Sequence, residues 1–480
     1  MTTIFSKTRI IATVGPAIMK EFHSWEEFKS EENKKAADEA ADTIKNLIYS
    51  GVNIFRINLS HNSASSNIFW VELIRQVAKE VATKVDILFD TKGPEIRISE
   101  LEKPMLIQKD SEIKIYCTRT IIGANNEFSV SDASGEYNMA FDTKEDDRIF
   151  IDDGKLVLKV KESNQNAGVI YAIAQNSHTI TTNKRINLPD CKSYSIPFLS
   201  KKDEEDIKLA LKMKIPYIAL SFLSNIKQLN EVKKLIKQIS PKSNTLLIPK
   251  IETQEAINNI QEIVDKSDGV MIARGDLGLE VDYAKIPKYQ ELIINTCNDK
   301  QKYVIVATQM LDSLERSLMP TRAEVSDVYY ATRSKVSSLM LSGETAAGVN
   351  PVNAVQVMKK IILEVEATNY ELNFLQKDLN LLEQGREQKK AILELSSTKT
   401  TKHKVLIVNT INPDPKTLIE ISKIDIGLTI IFVIPKESTV PLLQRGCNVV
   451  YREHPIKTKE EVAQLLFKKV DEIEPIVIYL

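Results

Sequence analysis

Eight short apolar segments, each followed by a stretch with helical spacing of apolar residues, constrain the fold of this 480-residue chain more than any other feature. They are rich in β-branched residues and are bounded by polar or turn-forming residues, as is typical of the buried strands of a parallel sheet. The segments lie at 8–14, 52–58, 85–90, 215–222, 245–252, 269–273, 303–309 and 337–342. Eight strand–helix units predict an α/β protein built on a (β/α)8 TIM barrel.

Polar side chains follow most of these strands, at the point where each strand ends. They are Arg56 and Asn58, Asp90, Lys250 and Glu252, Asp276, Thr308, and Ser342 and Glu344. Because active sites of such barrels are built at the carboxyl ends of the strands, these residues are candidates for one functional site.

One stretch, Ile248–Val281, places three of these residues on two successive strands joined by a single helix. Lys250 and Glu252 share a face of the first strand, and a glycine-rich loop carrying Asp276 is predicted after the second. Two carboxylates can each give an oxygen ligand to Mg²⁺, and a nearby ammonium can balance the charge of a phosphoryl group in transfer. A buried ion-pair network is the alternative interpretation, and these three residues alone leave both open.

The pattern changes after Pro94, where short runs of alternating apolar residues are separated by turn residues. This predicts an all-β insertion after the third barrel strand, with Asp152-Asp153-Gly154 as a tight turn between two strands. Beyond a polar linker at 369–391, renewed strand–helix alternation predicts a C-terminal α/β domain. The predicted domains are the barrel in two parts, 1–93 and 198–368, the inserted all-β lid domain, 94–197, and the C-terminal α/β domain, 369–480.

Charge and cysteine content exclude several classes of function. The formal net charge is −1, so we expect no surface for nucleic acid or for an anionic membrane. The four cysteines are far apart and form no CxxC pair, which argues against a disulfide framework or a zinc site. No apolar run approaches the ~20 residues that cross a bilayer, and the N-terminus lacks a signal-type sequence. We therefore expect a soluble cytoplasmic protein, in which the charged stretch Ile18–Lys35 is a solvated insertion.

A series of motifs along the chain resembles one known family. The motifs are TRIIATVGPA, GVNIFRINLSHN, ILFDTKGPEIR, DDG, NLP, IALSF, IPKIET, DGVMIARGDLGLEV, ATQML, PTRAEVSDV and MLSGETAAG. In this order and at this spacing the chain resembles the pyruvate kinases over essentially its whole length. The resemblance implies a barrel domain, an inserted β-barrel lid and a C-terminal α/β domain, which the hydrophobic pattern predicts independently.

The resemblance also implies an activity and its cofactors. The family carries out the final step of glycolysis, in which the phosphoryl group of phosphoenolpyruvate is transferred to ADP to give ATP and pyruvate. The implied cofactors are Mg²⁺ (or Mn²⁺) and K⁺, and Glu95 in GPEIR is the family variant that accompanies dependence on K⁺. The implied protein is a cytoplasmic homotetramer that binds neither nucleic acid nor a membrane.

Position within the matching motifs gives each candidate residue the role that the resemblance implies. The catalytic residues are Lys250, which would stabilise the phosphoryl group in transfer, Arg56, Thr308, Ser342 and Glu344. The substrate contacts are Arg56, Lys250, Gly275, Asp276 and Thr308. The nucleotide contacts are Asn58, His61, Arg97, Asp153 and Lys184. The metal ligands are Glu252 and Asp276 for Mg²⁺, and Asn58, Ser60, Asp90 and Thr91 for K⁺.

Some positions depart from the family pattern, and two other functions fit part of the sequence. Tyr329 and Tyr330 replace a common Ala-Asn pair, while Arg185 and Asp190 stand where the family usually has glycine. A Mg²⁺-dependent lyase acting on a pyruvate enolate would also use a Glu/Asp pair, but it would not need Lys250 or a lid. A catalytically silent paralogue kept as a binding subunit is disfavoured, because every residue matched to metal, substrate or K⁺ is present.

Overall fold

The protein is described here from a computed structural model. The described residues are 6–20, 22–60, 62–81, 83–132, 135–191, 194–367, 403–411, 418, 429–435, 447–466 and 470–479. His61, one of the predicted nucleotide contacts, lies outside the described residues, and so does the predicted linker at 369–391.

Strands and helices alternate through most of the described chain. The strands are β1 (Arg9–Thr13), β2 (Val52–Asn58), β3 (Asp86–Asp90), β4 (Ile96–Ile98), β5 (Met105–Ile107), β6 (Glu112–Tyr116), β7 (Glu127–Ser131), β8 (Arg148–Ile151), β9 (Leu156–Asn164), β10 (Val169–Ala174), β11 (His178–Ile180), β12 (Arg185–Asn187), β13 (Tyr217–Leu220), β14 (Leu246–Ile251), β15 (Gly269–Ala273), β16 (Tyr303–Ala307), β17 (Ser338–Leu341), β18 (His403–Asn409), β19 (Thr429–Ile434), β20 (Cys447–Tyr451) and β21 (Ile473–Tyr479). The helices are α1 (Pro16–Met19), α2 (Trp25–Lys29), α3 (Lys34–Ser50), α4 (Ala64–Glu80), α5 (Lys201–Lys212), α6 (Ile226–Ile239), α7 (Gln254–Asn258), α8 (Ile260–Lys266), α9 (Arg274–Glu280), α10 (Ile286–Asp299), α11 (Arg322–Arg333), α12 (Gly343–Ala346), α13 (Pro351–Ala367) and α14 (Lys459–Leu465).

Eight strands close into a barrel in the order β1-β17-β16-β15-β14-β13-β3-β2. Their paired residues run in parallel wherever a register is defined, for instance between β14 and β15 and between β16 and β17. Side chains of β1, β15 and β16 are buried along the whole strand, since each strand lies inside a layer of helices. The predicted (β/α)8 barrel is confirmed, and each predicted strand agrees with the observed one to within two residues at either end.

The chain divides into two compact units, and each unit contains some of the barrel strands. The first unit contains Met1–Phe89, Ile215–Tyr217 and Cys297–Leu480. In it β1 pairs with β2 on one side and with β17 on the other. This pairing sets Thr13 opposite Arg56 and Ala12 opposite Leu341, so the carboxyl ends of the three strands lie side by side.

The charged stretch Ile18–Lys35 is only partly a solvated insertion. Its charged side chains are largely exposed, but Ile18, Met19 and Phe22 are buried. The Trp25 ring packs edge-on against Phe69 of α4 at 5.1 Å between ring centroids, because the amphipathic turn α2 directs its aromatic side chains toward that helix. The expectation of a fully solvated segment was therefore wrong for its apolar residues.

The second unit contains Asp90–Lys214 and Ile218–Thr296. Its inserted all-β part closes into a second barrel in the order β10-β6-β7-β4-β12-β8-β9, with β11 and β5 forming a separate two-stranded sheet. A core of alternating apolar residues between Ile96 and Ile196 fills this lid barrel. Asp152, Asp153 and Gly154 have φ values of 53°, 57° and 79°, which is the left-handed backbone expected of the predicted tight turn.

Two local predictions in the barrel were wrong. The glycine-rich segment after β15 forms the helix α9 instead of a loop. The single helix predicted between β14 and β15 is divided into α7 and α8 at Asn259. Glycines in the first segment suggested a loop, but one or two helical turns need little intrinsic helix propensity when packing holds them.

A separate parallel sheet lies near the C-terminus, within the first unit. Its strands are ordered β20-β19-β18-β21, and Val405, Ile407, Ile431 and Val433 form part of its core. The helix α14 begins with a capping box between Thr458 and Glu461. This confirms the predicted C-terminal α/β fold. Among the described helices, none is long and apolar enough to cross a membrane.

Candidate active site

A buried lysine at the end of β14 organises the polar residues of the second unit. The Nζ atom of Lys250 donates to Ser221 Oγ at 2.8 Å and lies 3.1 Å from Asp90 Oδ1 and 3.1 Å from Glu252 Oε1. Asp90 ends β3 and Ser221 follows β13, so the side chains come from the carboxyl ends of three strands. We call Asp90, Ser221, Lys250, Glu252 and Asp276 the lysine cluster.

The two predicted Mg²⁺ ligands lie in this cluster, and each is held by a different partner. Glu252 is fully buried, and its Oε2 accepts a hydrogen bond of 2.6 Å from the backbone N–H of Phe222. Asp276 lies in the first turn of α9, where its Oδ1 accepts a hydrogen bond from Nη1 of Arg185. One carboxylate is thus fixed by backbone and the other by a guanidinium.

Burial and neighbouring charges shift the pKa values of Glu252 and Asp276 in opposite directions. Burial raises the pKa of Glu252, and the Asp276 carboxylate raises that pKa further, while Lys250 lowers it. Burial alone would also raise the pKa of Asp276, but the positive charges of Arg185 and Lys250 outweigh it and leave that pKa below its usual value. Burial therefore disfavours the charged form of Glu252, while the neighbouring cations favour the charged form of Asp276.

The donor set fits a divalent cation. Within the described residues, no group of three or more His, Cys, Asp or Glu side chains is placed to hold a metal ion. Mg²⁺, however, commonly takes one or two carboxylates and fills its other positions with water and substrate phosphates. Glu252 and Asp276 supply two hard oxygen ligands whose mutual repulsion a metal ion would relieve.

The four predicted K⁺ ligands are divided between the two units. In the second unit, the carbonyl oxygen of Thr91 accepts a 2.6 Å hydrogen bond from Ser221 Oγ, next to Asp90. In the first unit, Asn58 Oδ1 accepts a 3.1 Å hydrogen bond from the backbone N–H of Ser60. Asn58 and Ser60 end or follow β2, and Asp90 and Thr91 end or follow β3.

Arg56 lies among hydroxyl groups at the carboxyl ends of β1, β2 and β17. Its Nη1 donates to Thr13 Oγ1 at 3.1 Å, and Thr13 Oγ1 donates to the carbonyl oxygen of Leu341 at 2.8 Å. Thr345 in turn donates to the carbonyl oxygen of Thr13 at 2.9 Å. This half-buried guanidinium is held at a strand end by a neutral hydroxyl, a position that suits recognition of an anionic ligand.

Thr308, Ser342 and Glu344 follow β16 and β17 in the first unit, and we call them the Glu344 region. Glu344 is buried, and its two carboxylate oxygens accept hydrogen bonds from the backbone N–H groups of Leu311 at 3.0 Å and Ser342 at 2.6 Å. Burial raises the pKa of Glu344 in spite of these bonds. In the described part of the chain, the buried Oγ of Ser342 has no hydrogen-bond partner. This leaves an oriented hydroxyl available for a ligand or a water molecule.

Two residues in left-handed backbone conformations adjoin these groups. Thr308 has a φ of 68°, which is strained for a β-branched residue, and Phe222 has a φ of 58°. The Thr308 conformation follows directly on β16, and Phe222 uses its backbone N–H to hold Glu252. Sequence patterns gave no sign of this strain, because neither residue type favours such a conformation.

The predicted nucleotide contacts of the second unit are arranged around two carboxylates. Arg97 donates to Glu95 Oε2 at 2.7 and 3.0 Å and to the carbonyl oxygen of Asn183. Lys184 lies 2.7 Å from Oδ1 of Asp152, in the turn that carries Asp153. Arg97 and Lys184 thus belong to neighbouring segments of the lid barrel, and Asp153 is exposed at its turn.

Arg185 was not among the predicted site residues, although it follows directly on Lys184. Its guanidinium bonds to Asp276, and its Nε lies 3.7 Å from Glu95 Oε1. The sequence singled out this position only as a departure from glycine. The only sign in the sequence was its place directly after the predicted nucleotide contact Lys184, and this does not identify its carboxylate partner.

Comparison with known proteins agrees with this geometry. Residues 5–355 match the family model described as pyruvate kinase, barrel domain. The chain belongs to the pyruvate kinase family. It is 45% identical over 372 residues to the pyruvate kinase of Mycoplasma pneumoniae, which covers 77% of this chain and 73% of that protein. It is 41% identical over 404 residues to that of Mycoplasma genitalium, covering 83% and 79%.

A solved structure extends the agreement over the whole chain. The crystal structure of a pyruvate kinase from Cryptosporidium parvum matches with a TM-score of 0.80 and 30% identity, and it covers 98% of this chain and 94% of the other. Family membership confirms that this protein is a phosphotransferase of glycolysis. It transfers the phosphoryl group of phosphoenolpyruvate to ADP and so forms ATP and pyruvate.

Proposed function

We propose that the lysine cluster is the centre at which the phosphoryl group is transferred. The observation that carries this assignment is the buried Lys250 ammonium, which lies 3.1 Å from Glu252 and 3.1 Å from Asp90 at the carboxyl ends of the barrel strands. Lys250 binds the transferring group and balances its negative charge in a site with little water. Arg56, also at a strand end, binds the phosphate of phosphoenolpyruvate.

Glu252 and Asp276 hold Mg²⁺ or Mn²⁺ in this proposal. When bound there, the metal ion supplies positive charge to the phosphate and carboxylate oxygens of the substrates. The support is the donor set itself, the fully buried Glu252 and the half-buried Asp276, whose carboxylates repel each other when both are charged. Gly275, beside Asp276 in the first turn of α9, contributes a backbone amide to the substrate carboxylate, together with the Thr308 hydroxyl.

The remaining proposed roles are proton delivery, nucleotide binding and K⁺ binding. Thr308 and Ser342 deliver the proton that converts enolpyruvate to pyruvate, and Glu344 positions the Ser342 segment by binding its backbone N–H. The nucleotide contacts are Asn58, His61, Arg97, Asp153 and Lys184. The K⁺ ligands are Asn58, Ser60, Asp90 and Thr91, all of which offer hard oxygen atoms.

Organisation beyond the site is also part of the proposal. We place the lid domain at 94–197, between the barrel parts 1–93 and 198–368, because its own core spans Ile96 to Ile196. The C-terminal domain is 369–480. We further propose a cytoplasmic homotetramer. Exposed Leu318, Met319 and Tyr330 on and before α11 support an interface between subunits, which light scattering of the purified protein would test.

The test of the central assignment is a coupled assay of pyruvate formation from phosphoenolpyruvate and ADP. Lys250→Met should abolish most of the activity, because the methionine keeps the volume of the side chain but removes its charge. Lys359→Met is the matched control: Lys359 is half-buried, its Nζ donates to Ser6 Oγ at 2.8 Å, and desolvation lowers its pKa to about 8. Normal turnover by Lys250→Met, or equal losses in both variants, would refute the assignment.

A further inference from the structure

The Arg185 side chain connects the lid strand β12 to three groups of the second unit. Its Nη1 donates to Asp276 Oδ1, and its Nε lies 3.7 Å from Glu95 Oε1. The guanidinium also lies over the Phe222 ring, 4.6 Å from the ring centroid. With only 15% of its side chain exposed, Arg185 is a cation built into the site and not a surface charge.

Other arginines of the lid barrel do not have this arrangement. Arg148 forms a bidentate pair with Asp190, but 51% of its side chain is exposed. Arg97 pairs with Glu95 and with a backbone carbonyl. Arg185 differs from both because its carboxylate partner, Asp276, also lies beside Glu252 and Lys250.

We propose that Arg185 is a positioning residue that competes with the divalent cation for Asp276. The inference rests on the proposed role of Asp276 as a metal ligand. In the metal-free protein the guanidinium holds the carboxylate in place and balances its charge. The metal ion would take the same oxygen, Asp276 Oδ1, and so displace the guanidinium, because two cations at one carboxylate oxygen repel each other strongly.

Glu95 and Phe222 provide the position to which the guanidinium can move. Glu95 already lies within ion-pair distance of Nε. The face of the Phe222 ring attracts the guanidinium and, unlike a hydrogen bond, does not fix its orientation. A short rotation of the side chain would strengthen the pair with Glu95 as the pair with Asp276 is lost. The Arg185 side chain thereby couples the lid strand to the metal site.

The test measures metal binding directly and without substrates. Free Mn²⁺ is followed by electron paramagnetic resonance during titration of the full-length protein, which gives a Kd that does not depend on activity. Arg185→Gln should lower the Kd for Mn²⁺ by ~10-fold or more, because a unit charge at ion-pair distance changes the affinity of a carboxylate for a cation by that order. Arg148→Gln, which removes a lid arginine that pairs with Asp190, should leave the Kd unchanged.

A second comparison asks whether the guanidinium moves to Glu95 or only repels the metal ion from where it lies. If the guanidinium moves to Glu95, Glu95→Gln should raise the Kd for Mn²⁺ when Arg185 is present and have a much smaller effect in the Arg185→Gln background. Equal effects of Glu95→Gln in both backgrounds would show that Glu95 acts on the metal only through its own charge, and the proposed exchange of partners would be wrong. An unchanged or weaker Mn²⁺ affinity in Arg185→Gln would overturn the whole inference.

Asp276→Asn distinguishes this inference from the assignment on which it rests. If Asp276→Asn leaves Mn²⁺ binding unchanged, the metal lies elsewhere, and the assignment of Asp276 fails first. If Asp276→Asn weakens binding but Arg185→Gln does not strengthen it, the metal site stands and only the competition by Arg185 is refuted. Arg185→Lys keeps a cation at this position, so its Kd for Mn²⁺ should be close to that of the unchanged protein. This variant shows whether a change in Kd comes from the lost charge and not from misfolding.

Discussion

The lysine cluster and the Glu344 region both lie at the carboxyl ends of barrel strands, but they satisfy their polar groups in opposite ways. In the lysine cluster, charges balance one another: Lys250 lies between Asp90 and Glu252, and Arg185 holds Asp276. In the Glu344 region, backbone N–H groups satisfy a buried carboxylate.

This difference indicates two kinds of chemistry. A network of opposed charges responds strongly when an anionic phosphoryl group or a cation enters, because each added charge changes the balance of the others. A buried carboxylate that is fixed by backbone N–H groups, one of them that of Ser342, is suited to holding a proton donor in position. The comparison predicts that the two half-reactions can be separated by mutation, phosphoryl transfer depending on the first region and protonation of enolpyruvate on the second.

The strongest test of this separation is Lys250→Ala. We expect phosphoryl transfer to fall by roughly 10³-fold, since an electrostatic contact of this type contributes several kcal/mol to the transition state. Exchange of the methyl protons of pyruvate with solvent deuterium, measured by NMR in the presence of Mg²⁺, should persist. Parallel loss of both reactions would show that the two regions do not act separately.

The converse test is Ser342→Ala. Removing the Oγ that has no hydrogen-bond partner among the described residues should slow exchange of the pyruvate methyl protons by roughly 10²-fold, the usual contribution of a positioned proton donor. Stability should change little, because no hydrogen bond within the described protein is lost. Ser313→Ala serves as the control, since that hydroxyl donates to Glu324 outside the Glu344 region. Exchange at the normal rate in Ser342→Ala would exclude this hydroxyl from proton delivery.

Glu252→Gln and Asp276→Asn test the metal ligands of the lysine cluster. Each variant removes one of two anionic ligands, so the Mg²⁺ concentration for half-maximal activity should rise by about 10- to 100-fold. The titration is carried out at saturating phosphoenolpyruvate and ADP, with Glu255→Gln, a nearby glutamate that binds Asn225, as the control. If both ligand variants keep the original midpoint, the proposed ligands are wrong.

The dependence of activity on K⁺ tests whether Asp90 of the lysine cluster also serves as a K⁺ ligand. Asp90 and Thr91 offer oxygen ligands, as do Asn58 and Ser60, and we expect most of the activity to be lost in tetramethylammonium buffers without K⁺ or Na⁺. Glu95 is not an open carboxylate in this structure, since it accepts two hydrogen bonds from Arg97. K⁺ dependence therefore has to come from the four ligands themselves. Full activity in tetramethylammonium would show that a resident cation replaces K⁺.

The sequence predicted the strands and most of the site because both follow from short-range patterns. Runs such as those of β15 and β16 are apolar throughout, and the polar residue that ends each strand follows in the chain. The contact of Arg185 with Asp276 could not be predicted, since the two residues are 91 positions apart and Arg185 lies outside the matching motifs. The left-handed backbone at Thr308 and the helix α9 depend on packing, which neither periodicity nor residue type encodes.

The smallest expected effect concerns a third set of paired charges, which lies in the lid turn and outside both regions. Asp152 binds Lys155, His178 and Lys184; burial alone would raise its pKa, but the hydrogen bonds to these side chains lower it to about 2. The folded-state pKa lies below the unfolded value of ~3.9, so Asp152 stabilises the protein above pH 4, and the stabilisation is lost as the pH falls toward 2. Asp152→Asn should lower the free energy of unfolding by about 1 kcal/mol at pH 7, measured by thermal unfolding, and the difference from the unchanged protein should become smaller below pH 4. Asp153→Asn, in the same turn but with an exposed side chain, should lower it little.

Because these pairs lie outside the lysine cluster, the Mg²⁺ concentration for half-maximal activity should not change in Asp152→Asn. A shifted midpoint in Asp152→Asn would mean that charge pairing in the lid and charge pairing at the metal site are one system, and the comparison between the regions would then have to include the lid.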